Sequence, residues 1–131
     1  MIEILKNTAI EIFPKICSYQ EHLHRHPELS FSESATAAFI TEKLSELGLT
    51  VDAQYAPNSI VARIRGTHPD VNHDWVVGLR ADIDALPITE DFSHEICSAN
   101  PGVMHACGHD LHTASLLGTA EILVKHRELL Q

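Results

Sequence analysis

The sharpest chemical feature of the sequence is Cys107-Gly108-His109. A thiolate and an imidazole are both good donors to zinc or a similar transition metal. In an extended segment alternate side chains point the same way, so Cys107 and His109 would reach one point. Gly108 between them leaves the backbone free to aim both. His112 follows three residues later, on the same face of a helix starting at His109. A buried thiol beside a hydrogen-bonded histidine would fit the same residues, and the pair alone leaves both readings open.

A second candidate is Arg80-Ala81-Asp82-Ile83-Asp84. Asp82 closes an apolar run, and ligand sites in open α/β sheets lie at the carboxyl ends of strands. A carboxylate there would bind a metal or orient a ligating histidine. A structural Arg80–Asp82 pair is the simpler alternative. A third is His22-Leu23-His24-Arg25-His26, in which His22 and His26 share a helix face. It lacks the second-position Glu of a zinc-protease helix, so a structural or surface role is expected. The chain holds ten histidines. They cluster at 22–26 and 105–112, with His68, His73, His94 and His126 scattered.

Periodicity supplies the elements that must position these groups. Apolar residues at helical spacing predict a helix over 4–26, kinked at Pro14 or restarted there, and ended by Pro27. Ser30 and Glu33 read as a capping box opening a helix over 33–47, with Gly48 as its left-handed C-cap. Residues 50–55 and 59–65 read as short strands joined through Pro57-Asn58. Residues 75–82 form the most apolar strand candidate and suit a buried central position. Residues 83–108 lack periodicity, and so long a loop in a compact domain is usually functional. A last helix starts near Asp110, with Leu111, Ala114, Leu117, Ala120 and Val124 on one face. This order predicts an α/β fold with helices packed on a mixed sheet.

Composition bounds the partners. Hydrophobic residues are 44% and charged residues 21%, as in a globular domain rather than a fibre or disordered tail. The net charge of −9 disfavours phosphate backbones and anionic lipid, so no nucleic acid and no membrane is expected as partner. The N-terminus does not read as a signal peptide, and Cys17, Cys97 and Cys107 do not read as a disulfide framework. A cytoplasmic location is expected.

Three segments together resemble a known family. They are His24-Arg25-His26-Pro27-Glu28-Leu29-Ser30-Phe31, the run from Gly78 to Ile88 containing Arg80-Ala81-Asp82, and the run from Asn100 to Asp110 containing His105-Ala106-Cys107-Gly108-His109-Asp110. They resemble the amidohydrolase branch of the co-catalytic metallopeptidases, which includes hippurate hydrolase, N-acyl-amino-acid amidohydrolases and indole-acetyl-amino-acid hydrolases. The resemblance implies an enzyme that cleaves the amide of an N-acyl amino acid through a metal-activated water. It implies two divalent ions per complete site, of zinc, manganese, nickel or cobalt. Cys107 and His109 match the family's metal ligands, and Asp82 its supporting carboxylate. His105, Asp110 and His112 match positions around the ligands.

Residues 1–131 would then be the N-terminal portion of a zinc-peptidase-like catalytic domain. The general base, further ligands and the lid and dimerisation domain would lie outside them, and the complete enzyme would be a homo-oligomer. The chain alone is expected to be inactive. The alternative is a truncated, inactive remnant that binds a metal or partner weakly.

Overall fold

A computed structural model describes residues 1–70, 75–91, 93 and 95–130. Three helices carry the fold: α1 (Ile2–Arg25), α2 (Ser34–Glu46) and α3 (His109–Lys125). Between α2 and α3 lie two short strands, β1 (Val51–Asp52) and β2 (Val61–Ala62), and a 3₁₀ turn at Arg127–Leu129 follows α3. The strands pair antiparallel, with Val51 opposite Ala62 and Asp52 opposite Val61. Among the described residues no helix is long and apolar enough to cross a membrane.

The helix α1 runs unbroken through Pro14, without the restart the proline suggested. Pro14 and Ile10 both face solvent, so water can serve the Ile10 carbonyl that loses its helical donor. Helix α1 packs chiefly against α3. The core gathers Ile40 and Leu44 of α2, Leu49 after it and Leu117 of α3, with Tyr19 and Phe39 packed at its margin. Leu23 is almost fully enclosed.

Helix α2 ends as its sequence predicts. Gly48 has φ +74°, its N–H donates to the Ser45 carbonyl and that of Leu49 to the Leu44 carbonyl. These two bonds form a Schellman motif. The start of α2 departs from expectation, because Ser30 and Glu33 form no capping box. Glu33 accepts from the Phe31 N–H, and Ser30 turns its hydroxyl to Asp84. The orphan N–H groups of α2 are met instead by Glu28, whose carboxylate accepts from Ala35 N at 3.2 Å, Thr36 N at 2.7 Å and the Thr36 hydroxyl at 2.8 Å.

Two further expectations fail. Residues 75–82 form no strand, and Trp75, Val76 and Val77 are each at least 80% exposed. A strand exists through its ladder, and among the described residues β1 and β2 pair only with each other. The layer is therefore a two-stranded antiparallel ribbon and not a mixed sheet. The buried face of α3 is also rotated from the one expected. It carries Asp110, Thr113, Ala114, Leu117, Gly118 and Glu121, whereas Leu111 is exposed. Polar side chains held by hydrogen bonds and ion pairs occupy part of that face.

Candidate metal and hydrolase site

The irregular segment 83–108 is pinned at a few points. Ala85 N donates to the Glu28 carbonyl, Leu86 and Met104 exchange backbone hydrogen bonds, and Asn100 Nδ2 donates to the Pro27 carbonyl. These ties bring the segment after Pro27 and the start of α3 to the same end of the molecule. Gly108 caps α3 with φ +78°, a conformation that glycine adopts without penalty. Cys107, Gly108 and His109 are therefore not an extended run, as the alternation argument required. They form a turn into the first residue of a helix. The Cys107 thiol is free and exposed.

His109 is fixed from behind. Its Nδ1 lies 2.9 Å from the Asp84 carbonyl and 3.0 Å from Asp84 Oδ1. Both partners are acceptors, so Nδ1 carries a proton, and in the neutral ring Nε2 is the nitrogen with the lone pair. A carbonyl or carboxylate holding one ring nitrogen while the other stays basic is the usual preparation of a metal-ligating histidine. Burial opposes the charge on Asp84, but hydrogen bonds from Ser30, its own backbone and His109 outweigh it and hold the carboxyl below its ordinary range. The His112 ring lies 6.0 Å from that of His109, centroid to centroid.

Asp82 faces elsewhere. Its carboxylate pairs with Arg80, which is largely exposed, and its carbonyl accepts from the Thr113 hydroxyl at 3.1 Å. Asp84 is the site residue that spacing did not single out, although it lies in the same motif. A network that spacing also missed stands behind the site. His24 of α1 places Nε2 2.8 Å from Glu90 and Nδ1 2.8 Å from Asp110, while Gln20 donates to Asp110 at 2.7 Å. Both carboxylates are buried. Only the doubly protonated ring donates to both. Burial alone would lower the pKa of His24, but its hydrogen bonds to the two carboxylates outweigh that and raise it. Burial likewise opposes the charge on Asp110, and hydrogen bonds from Gln20 and His24 keep it ionised below its ordinary range.

His105 is buried, and neither ring nitrogen has a hydrogen-bond partner among the described residues. Burial lowers its pKa, so the ring is held neutral. His22 and His26 do not gather toward a metal. His22 stacks on Phe39 at 4.2 Å, and His26 turns its Nδ1 back to the His22 carbonyl. His73 and His94 lie outside the described residues.

The donors suit a divalent metal: a thiol, and an imidazole with its lone pair kept available. They fit as part of a site and not the whole of one. No three His, Cys, Asp or Glu side chains are placed to hold a metal ion among the described residues, whereas catalytic zinc usually has three protein ligands.

Residues 78–131 match the family described as peptidase family M20/M25/M40. An N-acyl-L-amino acid amidohydrolase of Geobacillus stearothermophilus is 46% identical over 96% of this chain and 33% of its own length. A crystal structure from methicillin-resistant Staphylococcus aureus superposes with a TM-score of 0.88 at 40% identity, over 98% of this chain and 32% of that one. A Bacillus subtilis structure, described as a dinuclear metal binding peptidase of the M20 family, gives a TM-score of 0.79 at 37% identity over 94% and 32% of the two chains. The chain spans about a third of the length of each. With the HACGHD-containing segment inside the matched residues and the fold shared almost end to end, the chain is similar in sequence and fold to about a third of an M20-family peptidase.

Proposed function

We propose that this chain is the N-terminal portion of the catalytic domain of a metal-dependent amidohydrolase that cleaves N-acyl amino acids, hippurate-like compounds among them. The observation that carries the reading is the His109 ring, tied at Nδ1 by Asp84 so that Nε2 is the nitrogen left for a metal, two residues from the exposed thiol of Cys107. The match to the M20 family supports a hydrolase, and the name of the Geobacillus relative supports an N-acyl amino acid as substrate.

In this reading Cys107 and His109 hold metal and Asp84 orients His109, while the supporting role of Asp82 rests on the resemblance alone, its carboxylate being paired with Arg80. Divalent ions, two per complete site and drawn from zinc, manganese, nickel or cobalt, supply carbonyl polarisation and an activated water when bound. The remaining work of this chain is positional. The His24 clamp joins α1, Glu90 of the loop and Asp110, next to His109, and so fixes the start of the helix from which His109 projects. A cytoplasmic, homo-oligomeric complete enzyme is part of the proposal and rests on the resemblance.

Grafting residues 1–131 in place of the matching third of the Geobacillus relative tests the reading. The graft should hydrolyse N-acyl amino acids in a chelator-sensitive way. Cys107→Ala and His109→Ala within it should each remove most of the turnover and lower its metal content. A folded graft whose turnover and metal content ignore both substitutions would contradict the assignment.

A further inference from the structure

The five arginines of this acidic chain are not placed alike. Arg25 pairs with Glu21, and Arg80 with Asp82. Arg63, Arg65 and Arg127 instead line one groove of about 500 Å³, together with Asp52 and Tyr55. No carboxylate among the described residues lies within ion-pair distance of these three guanidinium groups. Asp52 is engaged elsewhere, accepting from the backbone and side-chain N–H groups of Gln54. The Nε of Arg127 is buried without an acceptor among the described residues. A buried cationic donor left unpaired is costly, and natural structures seldom keep one without a partner.

The arginines are also held in place. Exposure alternates along residues 61–67, so Arg63 and Arg65 project from the same side of the segment that continues β2. Thr67 N donates to the Arg127 carbonyl at 2.9 Å, tying that segment to the turn after α3. A Cβ at residue 66 would stand 2.5 Å from the Leu130 carbonyl oxygen, so Gly66 is what lets the two segments seat together. Three guanidinium charges against the one carboxylate of Asp52 leave an excess of two. Guanidinium forks match planar or tetrahedral oxyanions in paired hydrogen bonds.

We propose that this groove binds a small multivalent oxyanion, a phosphate or a dicarboxylate. It shares no residue with the Cys107–His109 site and does not depend on the function proposed for that site. The overall charge of −9 repels anions, so capture here is a local property of the three arginines and not of the surface at large.

Calorimetric titration of the 131-residue chain at constant ionic strength tests the proposal, with inorganic phosphate, succinate and acetate as probes. Saturable binding of one phosphate or one succinate per chain is expected, tighter than that of acetate, and the probe that binds identifies the anion class. Arg63→Gln, Arg65→Gln and Arg127→Gln should each weaken it by about tenfold or more, the loss expected for one charge-assisted hydrogen bond. Lys6→Gln should leave it unchanged, and circular dichroism should show that each variant keeps its helices. If Arg127→Gln unfolds, the variants at exposed Arg63 and Arg65 still decide. The proposal is overturned by absence of saturable binding of both multivalent probes. It is equally overturned by binding that survives the arginine substitutions, or by equal weakening from Lys6→Gln.

Discussion

Asp82 and Asp84 stand two residues apart, yet it is Asp84 whose carboxylate and carbonyl meet the His109 ring, while Asp82 pairs with Arg80. Asp84→Asn should weaken divalent-metal binding by about 10–100-fold, the usual loss when the partner of a ligating histidine is removed. Asp82→Asn should cost less, because its carboxylate pairs with an arginine in solvent, and dissociation constants for cobalt(II) would rank the two. The His24 clamp predicts a pH dependence. Its pKa is raised above the usual 6.5, so its contribution is complete below that pH and is lost as pH rises through the raised value. His105 acts oppositely, because its lowered pKa makes stability fall as pH drops below 6.5. His24→Gln removes the cation that His24 places between the buried Glu90 and Asp110, which should cost ~3–5 kcal/mol. Urea titrations across neutral pH should show stability of the unaltered chain declining on the alkaline side, and His24→Gln should remove that decline. Cys107 and His109 stand out as candidates in the sequence because only Gly108 separates them. Asp84, His24 and Glu90 were not legible as partners, because each acts across 25 or more residues of chain.

The helices announced themselves through local signals: apolar spacing in α1, α2 and α3, and Gly48 at the end of α2. The N-terminus of α2 did not, because an acidic residue outside the box took the capping role. Glu28→Ala should therefore cost about 1–2 kcal/mol, as the loss of a helix N-cap does. Ser30→Ala should leave α2 unchanged, and thermal unfolding followed by circular dichroism distinguishes the two. Equal losses from both substitutions would restore the box. The strand expected at 75–82 failed for a different reason. Apolar content marks a segment as suited to a sheet, but pairing comes from a neighbour, and among the described residues β1 and β2 offer it no ladder.

Across the whole molecule, Trp75, Val76, Val77 and Leu79 place large apolar side chains in solvent within five residues. Such a segment invites association through its unpaired backbone and apolar side chains. The isolated chain should self-associate with rising concentration in sedimentation experiments, and replacing Val76 and Leu79 by Lys should shift it toward the monomer. By itself it should show no hydrolysis of hippurate or N-acetyl amino acids even with added zinc, manganese or cobalt, because the described residues converge too few donors.

The central claim, that Cys107 and His109 hold a metal together, is tested most directly by titrating the chain with cobalt(II) and following its near-ultraviolet absorption. A thiolate ligand gives a charge-transfer band that an imidazole or carboxylate does not. The account expects weak, saturable binding with that band, the band lost in Cys107→Ala, and the affinity reduced in His109→Ala and Asp84→Asn. A chain that binds no cobalt, or that binds it with identical spectrum and affinity in all three variants, would contradict it.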